Sequence, residues 1–377
     1  MNSPLRLGLV CRSLVKSKGG HEKYLHRLIN YGLKQNLEIT AFCESADGLP
    51  DSPRFERVNV PTFRFEQGLR HWSFNYNARK LTSKHSDQFD VLFTTGKVNF
   101  GDIHRAGGGV HKRYLDQCGD WTSYLKPKTW VQLTLQRQLY EHCQDTRFIV
   151  NSNMVKQQVI EEFDVPEDRL QVIYNGVDTD RFKYEKLKNR SGELREQYDL
   201  NRDDFLCLYT GAKWKRKGLP ELLEALVQIK QDHVKLVIIG NVKQNKLNSA
   251  VNRLDLSNRV IYKGYTEHIE QFYGMADLLV FPSRYDAGAN VVPEALASGL
   301  PVITTSMNGT HELIEEPAGK VIDNATRIDQ MKRYILQFVR DHPYPERRRK
   351  AAQIGQQYTM ERHFNQMIDQ FHKASHS

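Results

Sequence analysis

The sequence predicts an α/β fold of two Rossmann-like, doubly wound domains facing a cleft, and three observations predict it. The 377 residues exceed what a single hydrophobic core usually supports. Short apolar runs alternate with amphipathic stretches along both halves, as parallel strands alternate with crossover helices. Open α/β sheets place ligands beyond the carboxyl ends of their strands, so two facing sheets would line a cleft with loops from both walls.

Taken in order, residues 5–10, 38–43, 89–95, 148–151 and 170–174 read as strands of a first domain spanning 1–177. Residues 205–209, 236–239, 260–262, 278–281 and 302–304 read as strands of a second domain spanning 178–357, with amphipathic helices over 220–229 and 269–275. The polar segment 178–197 reads as the linker. No short-period repeat and no low-complexity tail breaks the pattern.

Apolar residues make up 39% of the chain, enough for two cores, yet no run of eighteen exists that could span a membrane. The chain passes from Met1 into a strand-like run without an apolar leader or small-residue cleavage site, which predicts a cytoplasmic protein. Cys11, Cys43, Cys118, Cys143 and Cys207 are odd in number and lack C-x-x-C spacing. Free thiols are therefore expected, and neither a disulfide framework nor a zinc site.

The most informative segment is 281–305, FPSRYDAGANVVPEALASGLPVITT. The strand-like run before it ends at Pro282-Ser283, and a small-residue turn then opens a helix. Ala287, Gly288 and Ala289 keep side chains out of the way, so N–H groups at the head of the helix, around Asn290, could approach a diphosphate. Asp286 stays in the loop and Glu294 falls on the helix, so the two carboxylates would face different parts of one elongated ligand, a ribose diol and a sugar hydroxyl. An isolated D-x7-E pair would be only a helix cap and a solvated residue, so its surroundings decide. Upstream, Lys213-Trp214-Lys215-Arg216-Lys217-Gly218 follows a strand and precedes a helix. Arg216 offers a planar fork and Lys217 a point charge, both suited to a leaving diphosphate, while Lys213 and Lys215 read as a solvated turn.

These segments resemble the GT-B glycosyltransferases, in particular family 4 of the retaining enzymes, whose signature at 286–294 is E-x7-E. Here the first acid is Asp, shorter in reach by about 1.5 Å. The resemblance continues through Asn151-Ser152, Val165-Pro166, Val172-Ile173-Tyr174-Asn175-Gly176-Val177-Asp178, Phe182, Thr210-Gly211, Arg216-Lys217-Gly218, Gly264, Ala276-Asp277 and Gly299-Leu300-Pro301-Val302. It covers most of the chain. It implies that the last helix, 358–377, crosses back to the first domain and that Lys18-Gly19-Gly20 lays its backbone against the donor phosphate. It also implies that His111, after three glycines, lies near the donor sugar's primary hydroxyl, with Asp102 and His104 shaping the same pocket. Asp178-x-Asp180 imitates a metal-binding pair but falls inside the matched Asn-Gly-Val-Asp motif, so it reads as structural, and neither metal nor cofactor is expected.

Asp286, Arg216, Lys217 and His111 are thus the expected catalytic residues, and Glu294, Gly288, Ala289, Asn290, Gly19, Gly20 and Gly211 the expected contacts to a nucleotide-diphosphate sugar. Rate would come from stabilising the departing diphosphate through Arg216, Lys217 and the helix N-terminus. No residue reads as a nucleophile behind the anomeric carbon, so the resemblance implies retention by same-face attack, with domain closure excluding water.

Charge speaks to the acceptor: 54 basic against 45 acidic residues give +9. Arg12, Lys16, Lys18, Lys23 and Arg27 face Glu22 alone within 12–27. Between 111 and 137, Lys112, Arg113, Lys126, Lys128 and Arg137, against Asp116 and Asp120, interleave with Tyr114, Leu115, Trp121, Tyr124, Leu125, Trp130 and Leu133. Basic residues mixed with aromatic ones suit an anionic membrane surface, although a helix packed on a sheet with a solvated rim would read the same. The first-domain layout resembles the enzymes that add glucose to heptose in the lipopolysaccharide core, which carry an acidic residue where Gly108 stands here. The expectations are UDP-glucose as donor and a lipid-linked or lipopolysaccharide-core acceptor, handled at the inner face of the cytoplasmic membrane. A non-hydrolysing nucleotide-sugar epimerase would share the fold and the diphosphate site, but no acid and base flanking the sugar can be assigned. A nucleic-acid-binding protein would share the positive charge, but the cations fall in loops after strands and no nucleic-acid motif occurs, so no such partner is expected.

Overall fold

The computed structural model describes residues 3–375 apart from 18, 64, 120, 188–190 and 199, so Lys18 and Asp120 lie outside the described residues. The chain divides into two compact units: Met1–Ile173 with Glu361–Ser377, and Tyr174–Met360.

The first unit is built on seven parallel strands: β1 (Arg6–Val10), β2 (Glu38–Cys43), β3 (Phe55–Asn59), β4 (Val91–Thr95), β5 (Ile103–Arg105), β6 (Arg147–Val150) and β7 (Leu170–Val172). Their order is β3-β2-β1-β4-β5-β6-β7, which reverses between β1 and β4. The second unit holds β8 (Phe205–Thr210), β9 (Val234–Ile239), β10 (Val260–Gly264), β11 (Leu278–Phe281), β12 (Val302–Thr305) and β13 (Gly319–Ile322). Their order is β10-β9-β8-β11-β12-β13, all pairs are parallel, and the reversal lies between β8 and β11. Each reversal opens a crevice at the carboxyl ends of the two strands it separates.

The period of two along each strand assigns the second unit's two layers. Cys207, Tyr209, Leu236, Ile238, Leu278 and Val280 pack on one face of the sheet with the helices Leu219–Gln228 and Ile328–Arg340. Leu206, Leu208, Val237, Ile239, Leu279 and Phe281 pack on the other with Val292, Ala295 and Leu296. A sheet buried on both faces explains why its strands read as unbroken apolar runs.

β3, β5 and β13 are additions to the expected strands. β3 is an edge strand with no fully buried residue, and its Phe-Glu-Arg-Val-Asn composition carries no buried-strand signal. β5 and β13 are three and four residues long, too short for periodicity to register.

The segment expected as a linker, 178–197, instead belongs to the second unit. Phe182 and Leu187 are buried there, and glycines on neighbouring elements make room for it. A Cβ on Gly274 would sit 3.0 Å from Leu187 Cβ, and one on Gly299 would sit 2.4 Å from the Tyr184 ring. Asp178 turns the chain, its carboxylate accepting from the Arg181 N–H at 3.2 Å. The last helix, Met360–Ser375, belongs to the first unit, as the resemblance implied, with Phe364 against Tyr24 and Tyr31 and Phe371 5.1 Å from Phe93. All five cysteines are free thiols.

Candidate active site

The reversal between β8 and β11 brings two loops side by side. After β8, Gly211 turns the chain, and its N–H donates to Ile239 O at 2.9 Å. Residues 213–218 then form a tight turn, with the Lys217 N–H donating to Lys213 O at 2.9 Å and the Gly218 N–H to Lys215 O at 3.1 Å. Gly218 adopts φ +70°, and a Cβ there would lie 1.8 Å from the Pro282 carbonyl oxygen. Only glycine therefore lets this loop press against the end of β11. The Arg284 N–H closes the contact by donating to Arg216 O at 2.8 Å.

That clamp sets Arg216 and Lys217 against Asp286. The Lys217 ammonium donates to Asp286 Oδ2, both side chains being almost buried, and Arg216 Nη2 stands 3.5 Å from the same oxygen. Burial alone would push the Asp286 carboxyl up, but Lys217 and then Arg216 hold it below the usual carboxylate range. The Gly288 N–H donates to Asp286 Oδ1 at 3.3 Å and the Ala289 N–H to Asn308 Oδ1 at 3.3 Å. The structure thus gives Asp286 and both loop amides protein partners that the sequence did not reveal. Ala287 and Ala289 are buried, so their small size also serves packing.

Asn290 caps the helix Val291–Ala297, and its side chain accepts from Asn175 Nδ2 at 2.8 Å, which also donates to Gly288 O at 3.0 Å. Glu294 on that helix accepts from the Tyr273 hydroxyl at 3.0 Å. Behind the basic turn, Arg216 Nε, the Tyr209 hydroxyl and Glu221 Oε2 are buried without hydrogen-bond partners, while Glu221 Oε1 accepts from Arg284 Nε at 2.9 Å. Burial pushes the Tyr209 phenol up, Glu221 pushes it further, and Arg216 opposes. Lys213 and Lys215 are exposed, as a solvated turn should be.

The remaining expected residues lie in the first unit. Gly19 precedes the helix Gly20–Lys34 and accepts from the Lys23 N–H at 3.1 Å, and a Cβ on Gly20 would meet open space. His111 begins the helix His111–Cys118, stacks on Tyr114 at 5.7 Å and buries an Nε2 that has no partner. Burial, then Lys97 and Lys128, lower its imidazole to about 4, so the ring is neutral near pH 7. Asp102 and His104, by contrast, hold the sheet together. Asp102, itself exposed, accepts from the Leu92 N–H at 2.7 Å, and buried His104 pairs with Thr94 Oγ1 at 2.9 Å.

Sequence reasoning missed Tyr273, Asn308 and the Glu221–Arg284 pair. Asn308-Gly309 is a legible turn signal. Tyr273 and Glu221 sit on ordinary amphipathic helices and carry no local signal.

Comparison with known proteins bears on the family and the fold. The family model described as Glycosyltransferase Family 4 matches residues 18–181, and that described as Glycosyl transferases group 1 matches residues 191–356. An uncharacterized glycosyltransferase of Methanocaldococcus jannaschii is 28% identical over 210 residues, a match that spans 55% of this chain and only about half, 53%, of that protein. The lipopolysaccharide glucosyltransferase WaaG of Escherichia coli K12 is 22% identical over 330 residues, 86% of this chain and 87% of WaaG. A crystal structure of WaaG, a glycosyltransferase involved in lipopolysaccharide biosynthesis, superposes with a TM-score of 0.83 at 18% identity, covering 97% of this chain and 99% of that one. Anabaena HepE in complex with UDP and glucose superposes with a TM-score of 0.72 at 18% identity, covering 97% and 98%. With two Rossmann-like units, a basic loop and an acidic loop meeting at a strand reversal, and a model match to each half, the chain belongs to the family 4 glycosyltransferases of the GT-B fold.

Proposed function

We propose that this glycosyltransferase moves a hexose, with retention and without a metal, from a nucleotide-diphosphate sugar, UDP-glucose, to a bacterial envelope glycan of the lipopolysaccharide-core type. The observation that carries the reading is the convergence of Lys217, Arg216 and Asp286 at the reversal of the second sheet. Lys217 and Arg216 would take up the negative charge that develops as the bond between the anomeric carbon and the phosphate oxygen breaks and its electron pair goes to the diphosphate. As Lys217 turns to that phosphate, Asp286 is released to accept from a sugar hydroxyl. Glu294, braced by Tyr273, would hold the ribose diol. The acceptor hydroxyl attacks the anomeric carbon from the face that the diphosphate leaves, and its proton passes to a leaving phosphate oxygen. His111, neutral at working pH, would hydrogen-bond the sugar's primary hydroxyl.

The glucosyltransferase description of WaaG and the UDP and glucose bound to HepE support the choice of donor, and the former supports the choice of acceptor. A place at the inner face of the cytoplasmic membrane is supported by the first unit's surface. Phe65, Trp72, Trp121 and Trp130 are exposed there, and the basic Lys126 and Lys128 lie in the sequence between the last two. Among the described residues no helix is long and apolar enough to cross a membrane.

The test is release of nucleotide from UDP-glucose, UDP-galactose, GDP-mannose and ADP-glucose, with and without heptose-bearing core oligosaccharide. The expected result is acceptor-dependent UDP release, fastest from UDP-glucose, and an α-linked product. A β-linked product would overturn retention, and release confined to GDP or ADP would overturn the donor.

A further inference from the structure

We propose that the first unit contains an anion-binding subsite, made by Arg12, His71, Lys97 and Lys128, that holds a phosphate ester on the acceptor; the assignment to the acceptor rests on the transferase reading above. Arg12 follows β1 and Lys97 follows β4, the two strands that flank the reversal of the first sheet. His71 lies on the helix Gln67–Lys84 and Lys128 in the first turn of the helix Pro127–His142, and these helices pack together. The topology therefore gathers four basic side chains beyond the carboxyl ends of the strands, where open α/β sheets take their ligands.

Their geometry converges on His71. Arg12 Nη1 stands 3.4 Å from His71 Nε2, and Gln132 Nε2 stands 3.4 Å from the same nitrogen. Burial, then Arg12, Lys97, Lys128 and Arg70, lower the His71 imidazole to about 4, so all the charges that act on it are positive. Burial and Lys128 likewise bring the Lys97 ammonium down to about 8. The same two lysines act on the partnerless Nε2 ring of His111.

The carboxylates near this group act on Arg12. Glu44 accepts from Arg70 at 2.9, 3.0 and 2.5 Å and, with Glu22, also acts on Arg12. Neither acts on His71 or Lys97. Among the described residues the Lys97 and Lys128 ammonium groups have no hydrogen-bond or ion-pair partner. The loop is also held in place: buried Asn75 donates to Lys97 O at 2.7 Å and accepts from the Asn99 N–H at 2.9 Å. A fixed loop that presents like charges to one another costs folding free energy, which an incoming anion offsets. A phosphate ester, with three oxygens to share among a guanidinium, two ammonium groups and an imidazole, matches that donor set.

The same chemistry could come from a glycan phosphate or a lipid headgroup, and the test separates them. Thermal stabilisation of the full chain is measured with glucose 6-phosphate, with glucose, and with UDP-glucose, for wild type, Lys97→Ala/Lys128→Ala and Lys217→Ala. Flotation with phosphatidylglycerol or phosphatidylcholine vesicles runs beside it. Glucose 6-phosphate, and not glucose, is expected to stabilise wild type and Lys217→Ala, with affinity at least about tenfold weaker in the double variant. The double variant's own melting temperature should hold or rise, because it relieves repulsion, and it should still be stabilised by UDP-glucose. A response to glucose 6-phosphate that survives in the double variant, or vanishes in Lys217→Ala, would overturn the subsite. So would phosphatidylglycerol binding that depends on Lys97 and Lys128 with no response to glucose 6-phosphate, since the phosphate would then be a lipid's. Failure of the nucleotide sugars alone, with the glucose 6-phosphate pattern intact, would instead count against the donor assignment.

Discussion

Lys217 and Asp286 are each nearly removed from water, and each compensates the other. Lys217→Met would leave the carboxylate with Arg216 at 3.5 Å as its remaining cation. The expected cost is about 3 kcal/mol, read as a lowered melting temperature, together with loss of nucleotide-sugar binding. The Asp286 carboxyl is held below its unfolded value, so the stability it contributes is complete above about pH 4 and is lost as pH falls through the depressed value. Asp286→Asn should therefore melt with a shallower acid dependence than wild type below about pH 4. His111 works over a different window. Its imidazole is near 4 when folded against 6.5 ordinarily, so its stability contribution is complete above 6.5 and falls away as pH drops toward 4. His111→Gln should flatten the dependence of melting temperature between those two values.

At the scale of elements, the contact between the basic turn and the end of β11 hangs on one missing side chain. Gly218→Ala adds a Cβ 1.8 Å from the Pro282 carbonyl at a positive φ, so the loops must part. We expect a loss of about 2–4 kcal/mol by thermal melting, and weakened donor binding even at temperatures where the variant is folded. The last helix offers a second test. Phe371 is fully buried against Phe93, and Phe371→Ala is expected to cost about 3–5 kcal/mol. Most elements were legible because strands buried on both faces, such as Leu278–Phe281, are apolar at every position. β3 was not, because an edge strand of Phe-Glu-Arg-Val-Asn owes its place to backbone pairing with β2 rather than to burial. The basic and acidic loops were legible as motifs. The lysine-to-aspartate contact between them was not, since 69 residues separate the partners and only the β8–β11 adjacency joins them.

For the molecule as a whole, exposed apolar surface is unevenly divided. Among the described residues nine large hydrophobic side chains stand exposed, and eight of them belong to the first unit, among them Trp72 and Tyr76, stacked 5.8 Å apart. If these residues meet a lipid surface, Trp121→Ser/Trp130→Ser should bind phosphatidylglycerol vesicles several-fold less than wild type in flotation, while its melting temperature moves by no more than about 2 °C. Equal binding by the two proteins would remove the membrane assignment. The return of the last helix to the first unit also bears on the protein's biogenesis. All of 174–360 is synthesised before Phe364, Met367, Ile368 and Phe371 exist, so the second unit can close during translation while the first still lacks a wall of its core. Until the final sixteen-residue helix has left the ribosome, the side chains of Tyr24, Tyr31 and Phe93 that it covers stay open to chaperones, and chains stalled before residue 360 should be degraded as unfinished.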